Sequence, residues 1–147
     1  MIISEATKSH ISELCNIENG VFGIDDFRLN RKNFSYHINK KHIFIACVKN
    51  KIAGYILFFV HKKSFRIYSI AVLDDFRRTG IAKELISYVC GMAKYEKKEY
   101  ISLEVREDNL KAISLYSSLG FSTCKIIKSY YTDNTNALKM KFKLKLD

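Results

Sequence analysis

Ser69-Ile70-Ala71-Val72-Leu73-Asp74-Asp75-Phe76-Arg77-Arg78-Thr79-Gly80-Ile81-Ala82 is the stretch on which the reading of this chain turns. An aliphatic, strand-like run ends in a polar turn with two arginines and a glycine, and residues 83–97 then carry a helical pattern. The first N–H groups of a helix have no partner inside it, and the helix dipole adds partial positive charge at the same end. Gly80 lacks a Cβ, so a ligand can approach the backbone there, and arginine matches phosphate oxygens. The stretch therefore reads as a phosphate-binding turn at a helix start. It is not a P-loop, which requires Gly, four residues and Gly-Lys-Ser/Thr, nor the three-glycine dinucleotide fingerprint.

Working outward, the pattern predicts a strand over residues 1–6, a helix over 9–19 stopped by Gly20, and a second helix over 27–39. Strands follow over 42–48 and 52–60, joined by a tight hairpin at Lys49-Asn50-Lys51, and then over 65–73. Residues 78–96 are the clearest helix, with Ala82, Leu85, Ile86, Val89 and Ala93 on one face. A strand over 100–105 precedes a helix over 110–119, with Asn109 as N-cap and Gly120 as stop. Strand candidates over 122–130 and 137–146 close the chain. In the last, Lys139, Lys141, Lys143 and Lys145 alternate with apolar residues up to Leu146, as on a solvated edge strand. Hairpins followed by a βαβα unit give an α+β chain: a mixed sheet with helices packed on it, not a doubly wound fold.

The 147 residues suit one domain, and 48% apolar content suits a globular one. Four scattered cysteines, Cys15, Cys47, Cys90 and Cys124, read as buried free thiols in a reducing cytoplasm. His10, His37, His42 and His61 lack metal-ligand spacing, so no metal is expected. No signal-peptide pattern is visible, and the longest apolar run, residues 55–60, is too short for a membrane span. A net charge of +10 attracts polyanions, but much of it lies in the last strand, so nucleic acid is not the expected partner.

Arg77, Gly80 and Ala82 match, in register, a signature of Arg or Gln, two residues, Gly, one residue, then Gly or Ala, placed between a strand and a helix. On these residues and on the element order the chain resembles the GNAT acyltransferases, the acetyl-coenzyme A-dependent N-acetyltransferases. Ile70-Ala71-Val72, Leu103-Glu104-Val105-Arg106, the segment from Asn109 to Phe121 and Tyr130-Tyr131 resemble one subgroup more closely. Those are the bacterial enzymes that acetylate the N-terminal alanine of a small-subunit ribosomal protein. Two departures bear on the acceptor: Thr132 stands where the subgroup has proline, and Asn134 to Asn136 stand where it has acidic residues.

The resemblance implies a GNAT fold of about seven strands and four helices, with acetyl-coenzyme A as donor. It implies that the cofactor lies along Ile70, Ala71 and Val72, with its pyrophosphate on Arg77, Arg78, Thr79, Gly80, Ile81 and Ala82 and its pantetheine arm near Asn109. An amine attacks a thioester only when uncharged, so a base must accept its proton. Glu104, opposite the face that carries Ile101, Leu103 and Val105, is the candidate base. A solvent-exposed strand glutamate is the plainer reading. Tyr116 is the candidate acid for the leaving thiolate; by periodicity alone it is a core tyrosine. Tyr130 and Tyr131 are candidates to line the acceptor channel, and residues 20–34 to shape its groove, where Asp25 and Asp26 either attract a cationic peptide or cap a helix. The acceptor is expected to be a protein N-terminus or a small amine, met by a monomer or homodimer. The reading from another class is a non-catalytic coenzyme A-binding or nucleic-acid-associated module.

Overall fold

The computed structural model describes residues 1–23 and 27–145, so Asp25, Asp26 and Leu146 lie outside the described residues. In chain order the elements are β1 (Ile2–Glu5), α1 (Ile11–Val21), α2 (Arg31–Asn39), β2 (Ile43–Val48), β3 (Lys51–Val60), β4 (Ser64–Val72), α3 (Ile81–Tyr95), β5 (Tyr100–Arg106), α4 (Leu110–Ser118), β6 (Ser122–Ile127) and β7 (Ala137–Lys143). The strands hydrogen-bond in the order β1-β2-β3-β4-β5-β7-β6. Only β4 and β5 run parallel among the described pairs; β1–β2, β2–β3, β5–β7 and β6–β7 are antiparallel. This is the mixed, mostly antiparallel sheet with four α-helices that the sequence predicts.

The chain forms two compact units, Met1–Phe58 with Ser69–Val89, and Phe59–Tyr68 with Cys90–Asp147. In the first, β2 and β3 are joined by the two-residue loop Lys49-Asn50, with φ of +52° and +63°. Two left-handed residues make the type I′ turn, whose twist matches that of the strands. Phe34 from α2 meets Tyr55 of β3 edge-on at 5.6 Å, and Tyr88 of α3 packs on Phe44 of β2 at 5.0 Å. In the second unit, Ser64 to Ile67 pair with Tyr100 to Leu103, and β7 lies between β5 and β6. Phe65, Ile67, Ile101, Leu103 and Met140 are buried there. Gly120 ends α4 with φ +101°, and a Cβ there would meet the Phe142 ring at 2.7 Å, so the position requires glycine twice over.

The structure corrects four local expectations. Helix α2 starts at Arg31 rather than 27, because Asn30 caps it: its side chain accepts from the Asn33 N–H at 2.9 Å and Asn33 returns the bond at 3.0 Å. Gly20 does not stop α1, which runs to Val21. The lysine-rich strand β7 is interior to the sheet; β6 is the edge. Alternation reports one buried face, a property an interior antiparallel strand shares with an edge strand. Finally, Cys124 on β6 is exposed and Cys15, Cys47 and Cys90 are half-buried, so the thiols are free but not all interior. No described helix is long and apolar enough to cross a membrane.

Candidate active site

Within the first unit, β4 delivers the turn. Ser69 and Ala71 are buried while Ile70 and Val72 are half-exposed, so the two sets occupy opposite faces. Gly54 of β3 lets the strands come close: a Cβ there would lie 2.7 Å from the Ala71 carbonyl oxygen. The Leu73 N–H donates to the Ala53 carbonyl at 2.9 Å. After one 3-10 turn over Asp74–Phe76, Arg78 and Gly80 adopt φ of +64° and +84°, and α3 begins at Ile81, not at 78 as the pattern predicts. The left-handed conformation costs a residue with a Cβ about 1–2 kcal/mol, which the surroundings of Arg78 must offset. The brace is internal. The Thr79 hydroxyl donates to the Phe76 carbonyl, and Arg77 reaches back, its Nε to the Val72 carbonyl at 3.3 Å and its Nη1 to Asp74 at 3.0 Å. A Cβ at Gly80 would meet nothing within 4 Å. The N–H groups at the start of α3, next to that open position, are of the kind that bind an anion. The Arg77 side chain, expected at that anion, is instead turned toward its own strand end.

Within the second unit, Glu104 and Tyr116 occupy different environments. Glu104 is half-buried on β5, its neighbours Leu103 and Val105 turned into the core. Arg66 of β4 grips both its oxygens, Nη2 to Oε1 at 2.7 Å and Nε to Oε2 at 3.1 Å. The same guanidinium donates to the Tyr130 hydroxyl at 3.3 Å and lies over the rings of Phe59 and Tyr68, at 6.0 and 5.7 Å. Tyr130 and Tyr131 meet edge to face at 5.1 Å, and Arg106 covers the Tyr131 ring at 4.8 Å while binding Asp133 and Asp108. Tyr116 on α4 is 7% exposed, and burial lifts its hydroxyl to a pKa of about 12. Among the described residues that hydroxyl makes no hydrogen bond. Asn109 caps α4 as predicted, its side-chain oxygen accepting from the Ala112 N–H at 3.2 Å. Among the described residues no group of His, Cys, Asp and Glu could hold a metal ion.

Two features were missed from the sequence. Arg66 lies 38 positions from Glu104, and only the parallel register of β4 on β5 brings the two together. The other is Glu18, 1% exposed in the first unit. It accepts from the Leu29 N–H at 2.7 Å and from the Tyr55 hydroxyl, which also lies 3.0 Å from the Ser69 hydroxyl. Burial raises the Glu18 pKa, against the lowering effect of those hydrogen bonds. Its spacing gave a signal: position 18 falls on the helical stripe of Ile11 and Leu14, where a carboxylate must be paired.

Residues 10–121 match the model of the acetyltransferase (GNAT) family. The N-alpha-acetyltransferase of Saccharolobus solfataricus is 34% identical, over 74% of this chain and 77% of that one. The [ribosomal protein bS18]-alanine N-acetyltransferase of Escherichia coli is 28% identical, over 71% and 72%. The crystal structure of the ribosomal-protein-S18-alanine N-acetyltransferase from Escherichia coli superimposes with a TM-score of 0.88 at 25% identity, covering 99% of this chain and 95% of that one.

Proposed function

Because the chain belongs to the acetyltransferase (GNAT) family, we propose that it transfers an acetyl group from acetyl-coenzyme A to the N-terminal α-amine of a protein. The acceptor reading is carried by the likeness, across more than 70% of the chain, to two proteins named for acting on such amines. The donor supplies an activated acetyl thioester. The braced turn from Arg77 to Ala82 and the Ile70 to Val72 strand are its binding groups. The Asn109 side-chain oxygen is committed to the helix cap, which leaves its NH2 group for the pantetheine arm.

Glu104 is the group that accepts the amine proton, directly or through water. An α-amine has a pKa near 8, so at pH 7 only about a tenth of it is uncharged, and a positioned carboxylate keeps the neutral form in supply. The freed nitrogen attacks the thioester carbonyl carbon, the carbon–sulfur bond breaks, the sulfur leaves with the electron pair, and the nitrogen gives up its second proton, through water, to the thiolate. With a pKa of about 12, Tyr116 holds its proton throughout the neutral range and can donate it as a hydrogen bond to the leaving sulfur. Tyr130 and Tyr131 line the acceptor side. No cysteine stands in a motif for a covalent acyl-enzyme, which supports direct transfer.

The test is release of coenzyme A from acetyl-coenzyme A in the presence of N-terminal peptides, lysine peptides or small amines. Acetylation of N-terminal peptides supports the reading. Turnover confined to small amines would replace it with a small-molecule acetyltransferase, and tight donor binding without turnover would replace it with a non-catalytic module.

A further inference from the structure

The candidate base is gripped by one cation and shares its face of the sheet with others. Residues that alternate with the core positions share one face of the strands, so Glu104 lies on the face of Arg106 and, across the β5–β7 register, of Lys139 and Lys141. Arg66 reaches the same face from β4, where it pairs with Ser102. Arg106 is already neutralised by Asp108 and Asp133. Among the described ion pairs Arg66 is bound to Glu104 alone, with 25% of its side chain exposed against 11% for Glu104.

That arrangement poses a chemical problem. Both Glu104 oxygens are held by the guanidinium, so the carboxylate that should take the amine proton is occupied. An acceptor bearing only positive charge must compete with Arg66 for Glu104 and is repelled by the lysines. An acceptor with a carboxylate beside its amine resolves this: its carboxylate takes the arginine fork, and its ammonium meets the released Glu104 and hands it one proton. Planar guanidinium groups bind carboxylates through two parallel N–H bonds, so the exchange replaces one such pair with another.

We infer that Arg66 is a specificity-determining residue that selects acceptors with an acidic group next to the reacting amine, foremost protein N-termini with Asp or Glu in the first two positions. The inference rests on the N-terminal acetyltransferase reading above. A free acidic amino acid has the same chemistry, so the test includes both sources.

The experiment measures kcat/KM for matched peptides starting with Asp, Glu, Ala or Lys, and for free aspartate, glutamate and alanine, with wild type, Arg66→Gln and Arg66→Lys. The wild type should favour acidic over Ala-starting peptides by about tenfold or more, the scale of one charge-assisted hydrogen-bonded pair. Arg66→Gln should bring that ratio close to one, and Arg66→Lys, which keeps the charge but loses the fork, should give an intermediate ratio. A purely structural arginine would lower all substrates together and leave the ratio intact. Wild-type turnover of Ala- or Lys-starting peptides equal to or above that of acidic ones would overturn the inference, whether or not the variants fold. Turnover of aspartate and glutamate with no peptide would uphold the role of Arg66 and overturn the protein N-terminus reading. No acceptor at all would overturn both.

Discussion

The turn from Arg77 to Ala82 and the cluster of Arg66, Glu104, Tyr130 and Arg106 both handle charge, by different means. The turn works through backbone: two left-handed residues, a helix start, and side chains that brace the loop from within. The cluster works through side chains gripping one another across strands. A backbone site tolerates sequence change wherever the chain path survives, and it recognises a generic group such as a phosphate. A side-chain site changes its preference with a single substitution. In the function proposed above, the donor, common to a whole family, is met by the first kind, and the acceptor by the second.

The sharpest way to break this contrast is Glu104→Gln. It should lower kcat/KM about 100- to 1,000-fold at neutral pH, the usual scale for losing a general base, with the KM for acetyl-coenzyme A nearly unchanged. An activity loss below about threefold would remove Glu104 from the chemistry. Tyr116→Phe should reduce kcat by about tenfold or more across the pH range. Since its hydroxyl makes no hydrogen bond among the described residues, thermal stability should hold. Equal kinetics for the two proteins would return Tyr116 to the role of a core residue.

On the backbone side, Gly80→Ala should raise the donor KM severalfold and cost about 1 kcal/mol, solely from the left-handed φ, because space for the methyl group is present. Isothermal titration with coenzyme A and a urea melt separate the two effects. An unchanged affinity would mean that the backbone path at this turn does not set donor binding.

The smallest effect concerns Glu18. Burial raises its folded-state pKa above the unfolded value of about 4.3. The folded chain therefore holds this proton to higher pH, so the contribution is fullest below the unfolded pKa and is lost as pH rises through the folded one. Glu18→Gln should flatten the fall in stability above about pH 4.5, as urea melts at stepped pH would record. Unaltered pH dependence would show that the carboxyl is not lifted by its surroundings.

What was legible in the sequence was local. The strand, turn and helix around Gly80 depend on neighbouring residues, as do the Asn109 cap and the Gly120 stop, and these were read directly. The Asn30 cap was not read, although Asn30 and Asn33 form a reciprocal pair. The place of β7 inside the sheet was not legible, since strand neighbours are set by the whole topology. Neither was the Arg66 grip on Glu104, which exists only through the parallel register of two distant strands.

Cys124 has a practical consequence at the bench. Burial raises the pKa of the Cys15, Cys47 and Cys90 thiols, to about 11 for Cys90, while Cys124 is exposed on the edge strand. Chromogenic disulfides that titrate released coenzyme A would also titrate Cys124 first, adding a burst of up to one equivalent of enzyme before any turnover. A Cys124→Ser protein gives such assays a flat baseline. The same thiol offers a single preferred anchor for a fluorophore or a solid support.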